Sequence, residues 1–187
     1  LETKEILIPG THNIENYMAA IALVEGLATD DAIRQVAKNF GGVEHRIELV
    51  RVKDGVRYYN DSIASSPSRT IAGLRSFPEK VILIAGGYDK HIPYDVLGPE
   101  ICAHVKKLFL GGATGPKIRA AVENAPEYWP GMPEIVDCGD FTQATLAAAQ
   151  AAEPGDVVLM SPASAAFDQF KNFMVRGQYF KKLVKEL

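Results

Sequence analysis

Residues 157–187 read VVLMSPASAAFDQFKNFMVRGQYFKKLVKEL, and the two halves of this stretch decide the fold. Val157-Val158-Leu159-Met160 is an unbroken apolar run, the mark of a strand covered on both faces of a parallel sheet. After the Ser161-Pro162 turn, apolar residues recur at Phe167, Phe170, Phe173, Met174, Phe180 and Val184, one stripe of an amphipathic helix. Ser164 is placed to cap that helix, with Asp168 in its first turn and Lys181, Lys182 and Lys185 near its negative end. A strand feeding a helix through a short turn is the unit of a parallel α/β sheet. Ligands bind such sheets just beyond the carboxyl ends of their strands. The pattern alone also fits a final strand and helix that merely close the domain.

The same unit recurs upstream. Val81–Ala85 is the clearest buried strand and runs into Gly86-Gly87-Tyr88-Asp89-Lys90, where glycines let the backbone approach a ligand. Lys90 is a point charge suited to a carboxylate or phosphate. The turn is not G-x-G-x-x-G, so a dinucleotide reading is weak. Lys107–Leu110 is a further strand, followed by Gly111-Gly112 and a helix from Thr114 or Pro116 to Ala125. Ile135-Val136 is a short strand after the proline-rich loop 128–133, and Asp140 caps a helix over Phe141–Ala152. The expected fold is α/β: a Rossmann-like, mostly parallel sheet with helices on both faces.

The first 44 residues read differently. Ile6-Leu7-Ile8 is a short strand ending at Pro9-Gly10. Thr11-His12-Asn13 opens a helix with Ile14, Met18, Ile21 and Ala22 on one face, stopped by Gly26. Asp30 caps a second helix with Ile33, Val36, Ala37 and Phe40 at i, i+3, i+4, i+7 spacing, ended by Gly41-Gly42. Two helices without a sheet of their own read as a piece of a larger domain. At His45-Arg46 the pattern turns extended, and Asp54-Gly55 between two apolar runs predicts a hairpin. The boundary therefore falls near residue 44, giving units 1–44 and 45–187. Pro67 after Ser66 starts a helix carrying Ile71, Leu74 and Phe77 inward.

The bulk numbers exclude several classes. Twenty basic and 23 acidic residues leave a formal net charge of -3, no electrostatic reason to expect nucleic acid or an anionic membrane. No apolar run nears the roughly 20 residues of a membrane span, and no signal-peptide pattern opens the chain. Cys102 and Cys138 are too few for a disulfide framework or a cysteine metal site, and cytoplasmic is the default; a monomer without a metal site of its own is expected. No G-x-x-x-x-G-K-[ST] phosphate loop occurs. His91 and His104 have no visible partner. Taken alone, Asn13 is a helix cap, Asn16 a polar first-turn residue, Arg46 a surface partner of Glu44 or Glu48, Asp61 a residue of a capped turn, and Lys90 a solvated lysine.

Five ordered blocks change that reading: GTHNIEN, HRIE, NDSIASSP, GGYDK and SPASAAFDQFKNF. Together they resemble the motifs of the Mur ligases, and the third and fifth resemble the D-glutamate-adding branch. The resemblance implies that 1–44 is the end of a central ATP-binding domain and 45–187 a C-terminal Rossmann-like domain, so that the chain is a fragment, inactive by itself. It implies ATP-dependent amide formation through an acyl phosphate in peptidoglycan synthesis, with ATP, Mg2+ held mainly by the rest of the enzyme, D-glutamate and UDP-N-acetylmuramoyl-L-alanine. By the same resemblance Asn13, Asn16, Arg46 and Asp61 meet the nucleotide. Ser65, Lys90, Ala166, Phe167 and Phe173 form the acceptor pocket, with Arg46 and Lys90 the catalytic pair. The chain departs from the family at Ile63, Ser66 and Ala166, where lysine, asparagine and serine are common. Two other readings stand beside it: a non-catalytic nucleotide- or carboxylate-binding module, and a Mur-type ligase with another acceptor amino acid.

Overall fold

The computed structural model describes residues 1–8 and 10–187, the side chain of His12 excepted. The turn expected at Pro9 and the role of His12 lie outside those described residues. A 3-10 turn at Thr3–Glu5 precedes helices α1 (Thr11–Leu23) and α2 (Asp30–Asn39). The strand expected at Ile6–Ile8 is not formed, because the backbone N–H of Leu7 bonds to the carbonyl of Ala37 in α2 instead of to a sheet. The cap of α2 is Thr29, whose Oγ1 accepts from the N–H of Ala32, and Asp30 is the first helical residue. Asn13 lies inside α1, which Gly10 precedes, and is not its cap.

The remainder alternates strand and helix: β1 (Glu48–Lys53), β2 (Val56–Asn60), α3 (Pro67–Leu74), β3 (Val81–Ala85), α4 (Leu97–His104), β4 (Val105–Gly111), α5 (Gly115–Glu123), β5 (Glu134–Gly139), α6 (Phe141–Gln150), β6 (Val157–Met160) and α7 (Phe173–Glu186). Among the described residues six strands form one sheet in the order β1-β2-β6-β3-β4-β5. Only β1 runs antiparallel, joined to β2 by the hairpin at Asp54-Gly55, where φ is +50° and +79°. Positive φ at both central residues is what a two-residue hairpin needs to follow the strand twist.

Period two then splits each central strand between two cores. Val81, Leu83 and Ala85 pack with Val157 and Leu159 under α3, α4 and α5, while Ile82, Ile84, Val158 and Met160 pack under α6 and α7. This is the physical content of an unbroken apolar run: both faces are covered, so every position is inside. Each such side chain contributes about 1.5–3 kcal/mol by leaving water. Among the described residues no helix is long and apolar enough to cross a membrane.

Residues 157–187 depart from the expected strand–turn–helix in one respect. Ser164 does not cap a helix; α7 begins at Phe173, capped by Asn172, whose Oδ1 accepts from the N–H of Val175 at 2.9 Å. Residues 161–172 stay irregular, and at the start of this segment, through Ala165, other partners take the carbonyls. Pro162 accepts from the N–H of Gly86, Ala165 from that of Tyr88, and Arg176 claims the oxygens of Ser164 and Ala165. Carbonyls engaged this way cannot serve the i→i+4 ladder. Accordingly Phe180 and Val184 are buried, whereas Phe167 and Met174 lie exposed off the expected stripe.

Candidate functional site

The strand β1 is reached through a strained turn. His45 and Ile47 adopt φ of +67° and +45°, conformations that are uncommon for any residue but glycine and a true outlier for a β-branched one. Such backbone survives only where its surroundings over-determine it. The buried His45 ring receives Asn60 Nδ2 at Nδ1 (2.9 Å) and stands edge-on to Phe173. It fills the space beside Gly177, where a Cβ would come within 2.2 Å of it. Between these two strained residues Arg46 is exposed, its backbone N–H on the carbonyl of Val43, and its side chain makes no ion pair or hydrogen bond among the described residues. Its expected partners, Glu44 and Glu48, bind Lys181 instead.

Arg46 lines two cavities. One, of about 310 Å³, is walled by Asn13, Asn16, Tyr17, Phe40 and Ile47; the amide of Asn16 reaches Asn13 Oδ1 at 3.4 Å. The other, of about 210 Å³, includes Asp61, Ile63, Arg69 and Gly73. Asp61 is only 3% exposed. Its Oδ1 accepts from the N–H of Ile47 (3.3 Å) and its Oδ2 from Ser161 Oγ (2.7 Å), while the Thr70 hydroxyl lies 3.0 Å from Ser161 Oγ and donates to the Ser161 carbonyl. Gly73 makes room, since a Cβ there would stand 2.9 Å from Oδ2.

Burial pushes the Asp61 carboxyl up to about 7, against the opposing hydrogen bonds from Ser161 and Ile47 and the charges of Arg46 and Arg69. The folded chain therefore holds a proton that the unfolded chain releases near pH 4, so this group stabilises the fold progressively as pH falls from about 7 toward 4. Binding of a hydroxyl-bearing ligand runs the other way, because only the ionised form accepts at every lone pair. If the ligand is a nucleotide, kcat/KM for ATP in the full-length protein should fall as pH drops through about 7. Asp61→Asn should lower the plateau and flatten that limb; a limb unchanged in the variant would assign it to another group.

At the carboxyl end of β3, Gly86 and Gly87 have φ of +111° and +146°. Asp89 beyond them is engaged by Lys117 Nζ (2.6 Å) and by the N–H of His91 (2.8 Å), which leaves Lys90 exposed and unpaired among the described residues. Lys90 lines neither cavity around Arg46. Ser65 is half-buried with its N–H on the carbonyl of Ile63. Ala166 is buried, and Phe167 is exposed with its ring edge-on to Tyr88. Phe173 opens α7, its carbonyl accepting from Ser62 Oγ at 2.7 Å. The structure thus joins Asn13, Asn16, Arg46 and Asp61 around one joint, and sets Lys90 apart on the neighbouring turn. His91 and His104 do have partners, Asp89 and Glu100, at 3.6 and 3.7 Å.

One residue escaped the sequence reading. Arg176 is 1% exposed, and among the described residues its guanidinium forms no hydrogen bond to a carboxylate. Its Nε donates to Ser62 Oγ and Nη2 to the carbonyl of Ser62, while Nη1 serves the carbonyls of Ser164 and Ala165, all at 3.0–3.1 Å. Burial draws its pKa down to about 10. The charge of Asp168 opposes that shift without a hydrogen bond; a buried cation is costly, and here it staples the loop after β2, with Asp61, to the loop after β6, with Ala166. A signal was present: Arg176 stands at i+3 on the stripe from Phe173 to Phe180.

The comparisons agree with this architecture. The family described as Mur ligase, glutamate ligase domain, matches residues 45–164. UDP-N-acetylmuramoylalanine–D-glutamate ligase of Acetivibrio thermocellus is 54% identical over all of this chain and 40% of its own length. The enzyme of that name from Clostridium beijerinckii is 49% identical over 98% of the chain and 40% of its own length. The chain thus spans about 40% of the length of these curated relatives. Among solved structures, UDP-N-acetylmuramate–alanine ligase of Thermotoga maritima superposes with a TM-score of 0.70 at 15% identity, over 97% of this chain and 39% of that one. Escherichia coli FolC in complex with ADP gives 0.65 at 18% identity, over 97% and 41%. At such identities these two likenesses speak for the fold alone. A strand–helix sheet of this order, with a family match across 45–164 and half-identical relatives along its whole length, belongs to the Mur ligase, glutamate ligase domain family.

Proposed function

We propose that this chain is the C-terminal part of a cytoplasmic, monomeric ATP-dependent ligase that adds D-glutamate to UDP-N-acetylmuramoyl-L-alanine. Residues 1–44 would end its central ATP-binding domain and 45–187 form its C-terminal domain. The observation that carries this reading is the placing of Arg46 between two cavities, one walled by Asn13 and Asn16 and the other by Asp61. Amides, a free guanidinium and a carboxylate in that order suit the base, phosphates and ribose of a nucleotide. Half-identity along the chain to enzymes bearing the D-glutamate ligase name supports the acceptor.

In this reading ATP phosphorylates the carboxylate of the UDP-sugar substrate, the amine of D-glutamate attacks the acyl phosphate, and phosphate departs. The chain's share is positioning and electrostatics. Arg46 meets phosphate charge, Asp61 accepts from ribose hydroxyls, and Lys90 holds an acceptor carboxylate beside Ser65, Ala166, Phe167 and Phe173. Magnesium does not fit the chain's own donors. Among the described residues Glu44, His45 and Glu48 alone could share an ion, and Lys181 already sits on both carboxylates. The ion belongs to the rest of the enzyme. Without a phosphate loop the 187 residues by themselves ligate nothing.

The test is a panel of amino acids in an ATP-dependent phosphate-release assay on the full-length protein with UDP-N-acetylmuramoyl-L-alanine. D-Glutamate should give release, with L-glutamate, L-alanine and diaminopimelate near background. Release with another amino acid would reassign the acceptor. Nucleotide binding with no release for any of them would make the protein a binding module.

A further inference from the structure

The turn that carries Arg46 is gripped from outside by α7. Lys181 Nζ lies 3.0 Å from Glu44 Oε1 and 2.5 Å from Glu48 Oε1, and Gln178 donates to the same Glu44 oxygen. Glu48 passes the constraint inward: its Oε2 accepts from the backbone N–H of His45 and from Asn60 Nδ2, each at 3.0 Å. Gly177, four residues before Lys181 on the same face of α7, gives the His45 ring its place. Residues 44–48 are therefore bracketed on both sides of Arg46 by one helix face.

The bracket has something to hold. The left-handed backbone at His45 and Ile47 is not what these residues adopt unaided, and the N–H of Ile47 must point at Asp61 Oδ1. The Lys181 side chain is 18% exposed and that of Glu48 22%, so water screens this pair less than a surface pair. Burial alone would lower the Lys181 pKa; its bonds to Glu48 and Glu44 outweigh that and raise it. Lys181 is charged throughout the physiological range.

We infer that Lys181 is a positioning residue for Arg46: through Glu44 and Glu48 it fixes the His45–Ile47 turn in the conformation that sets the guanidinium between the two cavities. The inference deepens the proposed function and rests on its nucleotide reading of Arg46. Lys181 touches no substrate in this view, and its effect travels through the turn.

The full-length protein tests it with Lys181→Met, Lys181→Arg, Arg46→Met and the double variant Arg46→Met/Lys181→Met. Lys181→Met should raise the KM for ATP about five- to tenfold and leave that for D-glutamate within about twofold. Lys181→Arg, which keeps the charge, should stay within about twofold of the parent. Because Lys181 acts through Arg46, the double variant should be no worse than Arg46→Met alone. Amide exchange at His45, Arg46 and Ile47 should quicken in Lys181→Met. Should that variant not fold, Glu44→Gln at the half-exposed end of the pair takes its place. Additive losses in the double variant, or an unchanged exchange rate and ATP KM, overturn the inference. Faster exchange with an ATP KM that neither Lys181→Met nor Arg46→Met moves would keep the positioning and discard the nucleotide role of Arg46.

Discussion

Replacing Lys90 with methionine in the full-length protein is expected to raise the KM for D-glutamate roughly ten- to more than a hundredfold. A hydrogen bond to a charged group is worth about 1.5–3 kcal/mol, and each 1.4 kcal/mol is about a factor of ten in affinity. The structure makes this side chain the available cation of its turn. Asp89 next to it is already occupied by Lys117 and by the His91 backbone, so no neighbouring carboxylate competes for Lys90. Methionine keeps the length and the apolar stem, and the loss reports charge rather than packing. The KM values for ATP and the UDP-sugar should move little, because Lys90 lines neither cavity around Arg46. An acceptor KM within a factor of two of the parent would make Lys90 a solvated loop residue and put the acceptor site elsewhere.

Gly86→Ala should cost about 2–6 kcal/mol of stability in this 187-residue chain. Two causes add. The φ of +111° is strained for a residue with a side chain, which costs about 1–3 kcal/mol. The new Cβ would stand 1.9 Å from the carbonyl oxygen of Gly111 on the neighbouring strand, and overpacking of this kind costs about 1–3 kcal/mol more. Neither backbone can yield easily, because Gly86 is tied to Pro162 by its N–H and Gly111 belongs to β4. For a chain of this size the melting temperature should drop by roughly 5–20 °C. Gly41→Ala is the control: among the described residues beyond its chain neighbours no atom lies within 4 Å of the added Cβ, and φ is not in the left-handed region, so the change should stay within about 0.5 kcal/mol. A Gly86→Ala loss below about 1 kcal/mol would show that the β3–β4 edge can open at no great cost.

Local chemistry made most of the fold legible. Val81–Ala85 and Val157–Met160 announced strands buried on both sides because a period-two chain between two helix layers has no wet face. Asp54-Gly55 announced the hairpin because few other pairs accept two positive φ angles. Asp140 announced α6, and its Oδ1 does accept from the N–H of Gln143 at 2.8 Å. The false strand at Ile6–Ile8 and the false cap at Ser164 share a cause. Both were judged by their own residues, when the fate of their backbone groups was settled by partners far along the chain.

The candidate site divides along the same line. The sequence by itself determined the candidates: Arg46, Asp61 and Lys90 lie in recognisable motifs at turns, where α/β sheets present ligands. Only the tertiary structure decided their surroundings. Asp61 meets Ser161 a hundred residues on, Arg176 staples Ser62 to Ser164 and Ala165, and Lys181 takes the carboxylates that were expected for Arg46. Sequence spacing encodes which face of a helix or strand a side chain occupies. It does not encode which distant loop will lie across that face, and burial, pKa and the freedom of a charge all follow from that packing.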